Sequence, residues 1–305
     1  MSLYLTSLHI PSRESFFDTI KKQLEDNLEG NQEKLTTMMP FFYNGPENYP
    51  SCLFPQALNF ELSPITIFNG GNGCGKSTIL NLIAAKLGIG HRTASNTSEY
   101  FNMFAEVCKI STHSDFDEIN RRCDIITSDD VFQHCLKLRQ NNKEISAKQK
   151  ELIRRKREET GQVENLRGLD DFERWKKDIS LRDKSYSRNL EKYVGHTLKL
   201  ASNGETALKF FTSAIDSAGC YLLDEPENSM SPTFQLKLID FLQTTASFLG
   251  MQFIIATHSP LLLGMKQATI FNLDEEGAPQ CKWSELENIR ILHQFFAERA
   301  SEFAR

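Results

Sequence analysis

The sequence predicts a layered α/β domain with a mostly parallel central sheet, an antiparallel edge and a charged helical-hairpin insertion. Three observations predict it. A β-branched apolar run, a glycine-rich turn and an amphipathic helical pattern follow one another across residues 65–87. Two other short, mostly apolar runs, 220–223 and 252–256, have the composition of parallel strands buried on both faces. Helical patterns separate these runs, and strands alternating with helices build layered α/β domains.

With 305 residues, the chain has room for one large domain or a domain carrying a sizeable insertion. Forty per cent hydrophobic and 25% charged residues is ordinary globular composition, so a core can be buried. A net charge of −5 makes no global case for a nucleic-acid binder. No apolar run approaches the ~20 residues that span a bilayer, so no membrane insertion is expected. The opening MSLYLTSLHIPSRE lacks a basic segment followed by an apolar core and does not read as a secretory signal. Seven dispersed cysteines form no C-x-x-C pair, which fits reduced thiols in a cytoplasmic protein.

Taken in order, residues 3–10 alternate roughly between apolar and polar and predict a first edge strand. Pro11-Ser12 starts a helix with Phe16, Phe17, Ile20 and Leu24 on one face, opening an N-terminal insertion over about 11–50. Residues 37–55 are irregular. Phe41, Phe42, Tyr43, Tyr49 and Phe54 are either adenine-stacking candidates or rings that pack a surface loop on the core. Residues 58–62 form a short strand, turned back by Ser63-Pro64. A helix with Tyr100, Phe101, Phe104 and Val107 and a strand at 123–127 follow, the strand ending in Ser128-Asp129-Asp130. Residues 137–192 hold 17 Lys plus Arg against 11 Asp plus Glu, a net +6 against −11 elsewhere. Their thin apolar content zips two helices together without a separate core, so 137–192 reads as a projecting hairpin, and 1–136 with 193–305 as the main domain. Its basic run, Arg154-Arg155-Lys156-Arg157, is either a contact for nucleic-acid phosphates or a solvated surface. Further on, Ser231-Pro232 opens a helix striped by Phe234, Leu238, Phe241, Leu242 and Leu249. A strand at 269–273 and a closing helix over 284–303, with Leu286, Ile289, Leu292 and Phe296 inward, complete the domain.

The glycine-rich turn carries chemistry. Gly70, Gly75, Lys76 and Ser77 satisfy G-x-x-x-x-G-K-[ST] between a strand and a helix, the context of a phosphate-binding loop. Backbone N–H groups across Asn69, Gly70, Gly71, Asn72, Gly73, Cys74 and Gly75 can curl around an anion, and the helix start at Thr78 and before adds its positive end. Lys76 is placed to reach the β- and γ-phosphates of ATP, and the Ser77 hydroxyl to ligate Mg²⁺. Cys74 is either an oxidation-sensitive position or a tolerated small side chain.

Downstream, CYLLDEPENSMSP ends an apolar run in Asp224, a carboxylate at a strand's C-terminal edge where it can hold Mg²⁺. Glu225, next to it, suits a general base that polarises the attacking water. ATHSP puts His258 at the end of the next strand, near a γ-phosphate. Upstream, Ser202, Asn203, Gly204 and Glu205 form an S-x-x-E capping box whose free N–H groups make a second anion seat.

In this order GGNGCGKST, SNGE, YLLDEPENSMSP and ATHSP resemble the Walker A, signature, Walker B, D-loop and switch-histidine set of the ABC-type ATPases. The chain most resembles the soluble bacterial branch related to SMC, RecF and overcoming-lysogenization-defect ATPases, often labelled AAA family ATPase. That resemblance implies a P-loop NTPase fold of ABC-ATPase type, hydrolysis of ATP with Mg²⁺, and a homodimer or higher homo-oligomer whose paired protomers sandwich two ATPs. Ser202 would then meet the γ-phosphate bound by the other subunit. Two departures stand out. The expected Q-loop glutamine is replaced by Ser128-Asp129-Asp130 with Gln133 slightly later, and the signature reads SNGE where transporter ATPases usually have SGGQ. Stand-alone ATPases of this kind resemble Septu-type and retron-associated anti-phage components, which implies control of a protein effector such as a nuclease, toxin or reverse-transcriptase complex, in anti-phage defence or DNA transactions. A transporter's ATP-binding subunit and a slow-turnover ATP-dependent scaffold are the alternatives.

Overall fold

Nine strands form two sheets in the computed structural model, among its described residues 3–27, 50–90, 92, 99–113, 123–159 and 202–303. The central sheet contains β3 (Ile65–Asn69), β5 (Cys123–Thr127), β6 (Cys220–Asp224), β7 (Gln252–Ala256), β8 (Thr269–Asn272) and β9 (Gln280–Cys281). Their order is β5-β6-β7-β3-β8-β9, parallel throughout except for the antiparallel β8–β9 edge. Every residue of β3 and β7 is buried, as continuous apolar runs require when a sheet is covered on both faces.

The second sheet is antiparallel and joins β1 (Leu5–Ile10), β2 (Leu58–Glu61) and β4 (Lys109–Thr112) in the order β2-β1-β4. The first strand is therefore central here, not an edge as its pattern suggested. β4, which alternates Lys, Ile, Ser and Thr with no residue buried, pairs on its other side. The buried Gln252 side chain ties the two sheets. Its Oε1 accepts from the N–H groups of Tyr4 and Leu5, and its Nε2 donates to the carbonyls of Leu5 and Ser63. An amide satisfied on all four sides fixes register more specifically than an apolar side chain could.

The core is aromatic where helices cover the sheets. α1 (Arg13–Asn27) inserts Phe16 against Phe104 of α3 (Glu99–Val107), with ring centroids 4.9 Å apart, and β2, β3 and β8 meet through Phe60, Phe68 and Phe271. Such edge-on and stacked contacts add to the area these rings bury. α2 (Lys76–Leu87) carries Ile79, Leu80, Ile83 and Leu87 into this core and ends at Gly88, whose φ of 68° gives the left-handed C-cap.

Two units divide the chain: residues 1–131 with 207–305, and residues 132–206. α4 (Ser128–Glu159) begins at Ser128-Asp129-Asp130, so these residues open a helix, where Asp130 Oδ2 accepts from Thr127 N and Oγ1 at 2.9 Å each. The rest of the expected hairpin lies outside the described residues, as do the side chains of Arg155, Lys156 and Arg157 and most of the N-terminal insertion. α5 (Asn203–Ala214) buries Ala207 and Phe211, and α6 (Pro232–Leu249) starts after Ser231 with Pro232 at its first position. α6 buries Leu238 and Leu242, but Leu249 is exposed because the stripe drifts off the core face in its last turn. After the short α7 (Pro260–Leu263), the closing segment is a 3₁₀ turn at Trp283–Glu285, then α8 (Glu287–Glu298) and α9 (Ala300–Phe303). Leu286 and Ile289 face inward as expected; Phe296, at 53% exposure, and Leu292 do not. The break at Leu286 rotates the helical pattern, so the periodicity read across 284–303 does not continue on one face.

Candidate functional site

The site gathers at the C-terminal edge of the central sheet, where open α/β sheets bind ligands. Register aligns it: Asp224 pairs with Ala256 across β6–β7, and Ala256 pairs with Phe68 across β7–β3. The ends of β3, β6 and β7 therefore release Gly70, Glu225 and Thr257 side by side.

From β3 the phosphate loop turns into α2 through glycines with positive φ, +84° at Gly73 and +104° at Gly75. An L side chain at either angle is strained, so these glycines are required by the turn itself. We expect Gly75→Ala to cost about 1–3 kcal/mol, read as a lower thermal unfolding midpoint and weakened nucleotide binding; an unchanged midpoint would contradict the strain.

Lys76 is buried, with Nζ donating to the carbonyls of Gly70 at 2.7 Å and Gly71 at 2.8 Å. Its charge is thus held inside the loop. The outer side of the loop is braced by the turn after β8. Asp274 accepts from Gly71 N through both carboxylate oxygens, at 2.8 and 3.0 Å, and Asn272 Oδ1 accepts from Asn69 Nδ2 at 3.4 Å. Burial pushes the half-buried Cys74 thiol up, partly opposed by Lys76, which disfavours the reactive thiolate.

Ser77 Oγ donates to Asp224 Oδ1 at 2.9 Å, joining the phosphate loop to β6. Burial pushes the Asp224 carboxyl up to about 6; the Ser77 hydrogen bond and Lys76 oppose this, while Glu225 and Glu227 add to it. A hydroxyl and a carboxylate are hard oxygen donors of the kind Mg²⁺ uses together with substrate phosphates. Among the described residues no cluster of three or more His, Cys, Asp or Glu could hold a metal ion alone. By its donor chemistry the Ser77–Asp224 pair fits a cation that shares its coordination with phosphate oxygens.

Glu225 adopts φ +46°, an uncommon angle for a non-glycine residue, and its N–H donates to Ala256 O at 2.8 Å. Its Oε2 accepts from Asn228 Nδ2 at 3.0 Å and its Oε1 lies 3.5 Å from His258 Nδ1. The loop that follows carries Glu227, whose side chain is only 6% exposed and whose Oε1 accepts from Thr257 Oγ1 at 2.5 Å. Burial pushes the Glu227 carboxyl up, against the Thr257 hydrogen bond.

The structure thus brings together Asn69, the loop 70–75, Lys76, Ser77, Thr78, Asp224, Glu225 and His258. Ser202, Asn203, Gly204 and Glu205 lie in the second unit. There Ser202 Oγ accepts from Glu205 N at 3.3 Å, Ser202 O accepts from Thr206 N at 2.9 Å, and Arg139 donates to Asn203 Oδ1 at 2.5 Å. Ser202 is thus the N-cap of α5. Phe54 is a buried core ring stacked on Phe104, with centroids 5.9 Å apart, and is not available to an adenine. Phe41, Phe42, Tyr43 and Tyr49 lie outside the described residues. Sequence reasoning missed Asp274 and Glu227 as site residues. Asp274 leaves no local signal, since its partner is 203 positions away. Glu227 does leave one: a carboxylate three residues past Asp224 in a strand-end loop.

A family model described as "AAA domain, putative AbiEii toxin, Type IV TA system" matches residues 109–264. It takes in Ser202, Asp224, Glu225 and His258 and begins beyond the phosphate loop. A comparison with curated proteins finds no match. Among solved structures the chain is similar to cbiO1 of Clostridium perfringens, part of the ABC transporter complex cbiONQ, at 17% identity and TM-score 0.42, covering 81% of this chain and 89% of that one. It is also similar to an Smc head domain from Pyrococcus furiosus, described with an extended coiled coil and bound to the C-terminal domain of ScpA, at 14% identity and TM-score 0.40, covering 78% and 95%. A third similar structure is an ATP-binding cassette in a dimeric post-hydrolysis state bound to ADP and Pi, at 16% identity and TM-score 0.36, covering 76% and 91%. No helix among the described residues is long and apolar enough to cross a membrane. With the family match spanning just over half of its residues, the chain belongs to this AAA-domain family.

Proposed function

We propose that this protein is an ATP-hydrolysing ATPase of the ABC/SMC-like kind that closes into a dimer around ATP and thereby controls a partner protein. The observation that carries the reading is the 2.9 Å Ser77–Asp224 bond, with Glu225 and His258 at the same strand ends. In this reading Lys76 exchanges the Gly70 and Gly71 carbonyls for phosphate oxygens, and the N–H groups of residues 73–78 cradle the β-phosphate. Mg²⁺, held by Ser77 and Asp224, would neutralise phosphate charge as the terminal phosphoryl group is transferred to water. Glu225 takes the proton of that water, and His258 donates a hydrogen bond to a γ-phosphate oxygen.

Ser202 at the start of α5 would complete the site of a second copy, with Asn203, Gly204 and Glu205 forming the anion seat. Control of an effector such as a nuclease, toxin or reverse-transcriptase complex, within cytoplasmic anti-phage defence, is the biological setting we propose. The toxin and Type IV TA wording in the family's description is compatible with that setting. The basic run at 154–157 would serve contact with the partner or with nucleic-acid phosphates.

Phosphate release from MgATP tests the core of this reading. The wild-type protein is expected to turn over ATP, and Asp224→Asn to lower kcat by on the order of a hundredfold. No release above background, or equal rates in the two proteins, would refute the hydrolase assignment.

A further inference from the structure

Glu227 is the most deeply buried carboxylate at the site, and the water-activating and metal-holding roles leave it without a task. Its Oε1 accepts from Thr257 Oγ1 at 2.5 Å and from the backbone N–H of His258 at 3.3 Å, and it lies 3.7 Å from His258 Nδ1. Its other oxygen, Oε2, is buried with no hydrogen-bond partner. A buried carboxylate with an oxygen left unpaired is costly, and such a group is retained where a specific interaction depends on it.

The geometry points to Glu227 as the positioning residue for His258, a role that rests on the ATPase reading above. Three contacts converge on two consecutive residues of the β7 exit: the Thr257 hydroxyl, the His258 backbone and the His258 ring. Thr257 Oγ1 in turn accepts from Ser259 N at 3.0 Å, and Ser259 Oγ donates to Gln235 Oε1 at 2.7 Å and caps α7. The carboxylate is thereby anchored to the loop that carries the histidine and to α6 behind it.

The ring needs such an anchor. The His258 side chain is half-exposed, so burial does not enclose its ring. Glu225 is slightly closer to Nδ1, at 3.5 Å against 3.7 Å, but it is more exposed and must turn towards water to act as a base. Glu227, anchored by Thr257 Oγ1 and the His258 backbone N–H, remains 3.7 Å from Nδ1 as its carboxylate neighbour when Glu225 leaves. With Nδ1 beside the two carboxylates, Nε2 is the ring nitrogen left to meet a γ-phosphate oxygen. A hydrogen-bonded second group that sets which imidazole nitrogen carries the proton is a general device for histidines that act at Nε2.

A double-mutant cycle separates positioning from plain structural support, using Glu227→Gln, His258→Ala and the combined variant in the full chain. Glutamine keeps an acceptor for Thr257 Oγ1 while removing the charge that faces the ring. We expect Glu227→Gln to lower kcat about tenfold with the ATP dissociation constant within about twofold of wild type, and to cost less than about twofold in the His258→Ala background. Equal losses in both backgrounds, or a loss confined to ATP affinity, would overturn the assignment. A readout without turnover guards the result. Ring ¹⁵N shifts of His258 should report proton occupancy at Nδ1 in wild type and a redistribution in Glu227→Ala, and an unchanged ring spectrum would equally overturn it. Absence of ATP turnover in the wild-type protein would instead refute the hydrolase reading, with the ring spectra still deciding the role of Glu227.

Discussion

Lys76→Ala is expected to lower ATP affinity roughly 150-fold, the equivalent of about 3 kcal/mol for a charge-assisted hydrogen bond lost from a buried site. The size of the loss follows from where the ammonium sits. Nζ is buried and already bound to two carbonyls of its own loop, so its desolvation is met on folding rather than on binding. ATP therefore gains a charge that is already inside the cradle. Without it, the glycine N–H groups and the α2 dipole remain but face several negative charges with no cationic side chain of the loop beside them. Lys76→Arg is not expected to rescue binding, because a planar guanidinium cannot enter a pocket lined by the Gly70 and Gly71 carbonyls without displacing the loop. Calorimetric titration with ATP measures the loss, and a thermal melt without nucleotide shows whether the loop still folds. Retained affinity in a folded Lys76→Ala protein would remove Lys76 from the site.

The phosphate loop was legible because every requirement is local. The β-branched run before Gly70, the glycines at φ +84° and +104° and the amphipathic helix up to Gly88 are consecutive in the chain. Asp224, Glu225 and His258 could be placed for a related reason: Asp224 ends a buried apolar strand, Glu225 follows it, His258 lies two residues past the next such strand, and parallel neighbours release their C-terminal ends at one edge. What escaped depends on pairing. β4 has too little apolar content to announce itself and exists because β1 offers it a partner. The two-residue β9 is likewise defined by its bonds to β8. Asp274 falls within a turn whose sequence, DEEG, says only that the chain reverses; its grip on Gly71 is a property of the fold. At the C-terminal end a hydrophobic pattern was extended through the break at Leu286, which placed Leu292 and Phe296 on the wrong face.

Glu225→Gln is expected to lower kcat by about 10²–10⁴-fold while leaving ATP bound, and to accumulate a dimer in the presence of MgATP. The substitution preserves the size and shape of the side chain and removes the proton-accepting carboxylate with its negative charge. Glutamine keeps the length of the side chain and an oxygen for Asn228 Nδ2, which now donates to Glu225 Oε2 at 3.0 Å. The backbone is unaffected, because both residues meet the same strain at φ +46° and both donate the N–H held by Ala256 O at 2.8 Å. Loss of the negative charge also removes repulsion towards the γ-phosphate, so the ATP-bound state gains lifetime twice: hydrolysis is slowed and closure is less opposed. If Ser202 meets the nucleotide of a second copy, that longer lifetime becomes visible as mass. Light scattering behind a sizing column should find twice the starting mass for Glu225→Gln with ATP and the starting mass with ADP. Adding Ser202→Ala to Glu225→Gln should return the protein to its starting mass while the nucleotide stays on the Lys76 loop. A Glu225→Gln protein that binds ATP but keeps its starting mass would refute the sandwich, and closure would then have to be sought within a single chain.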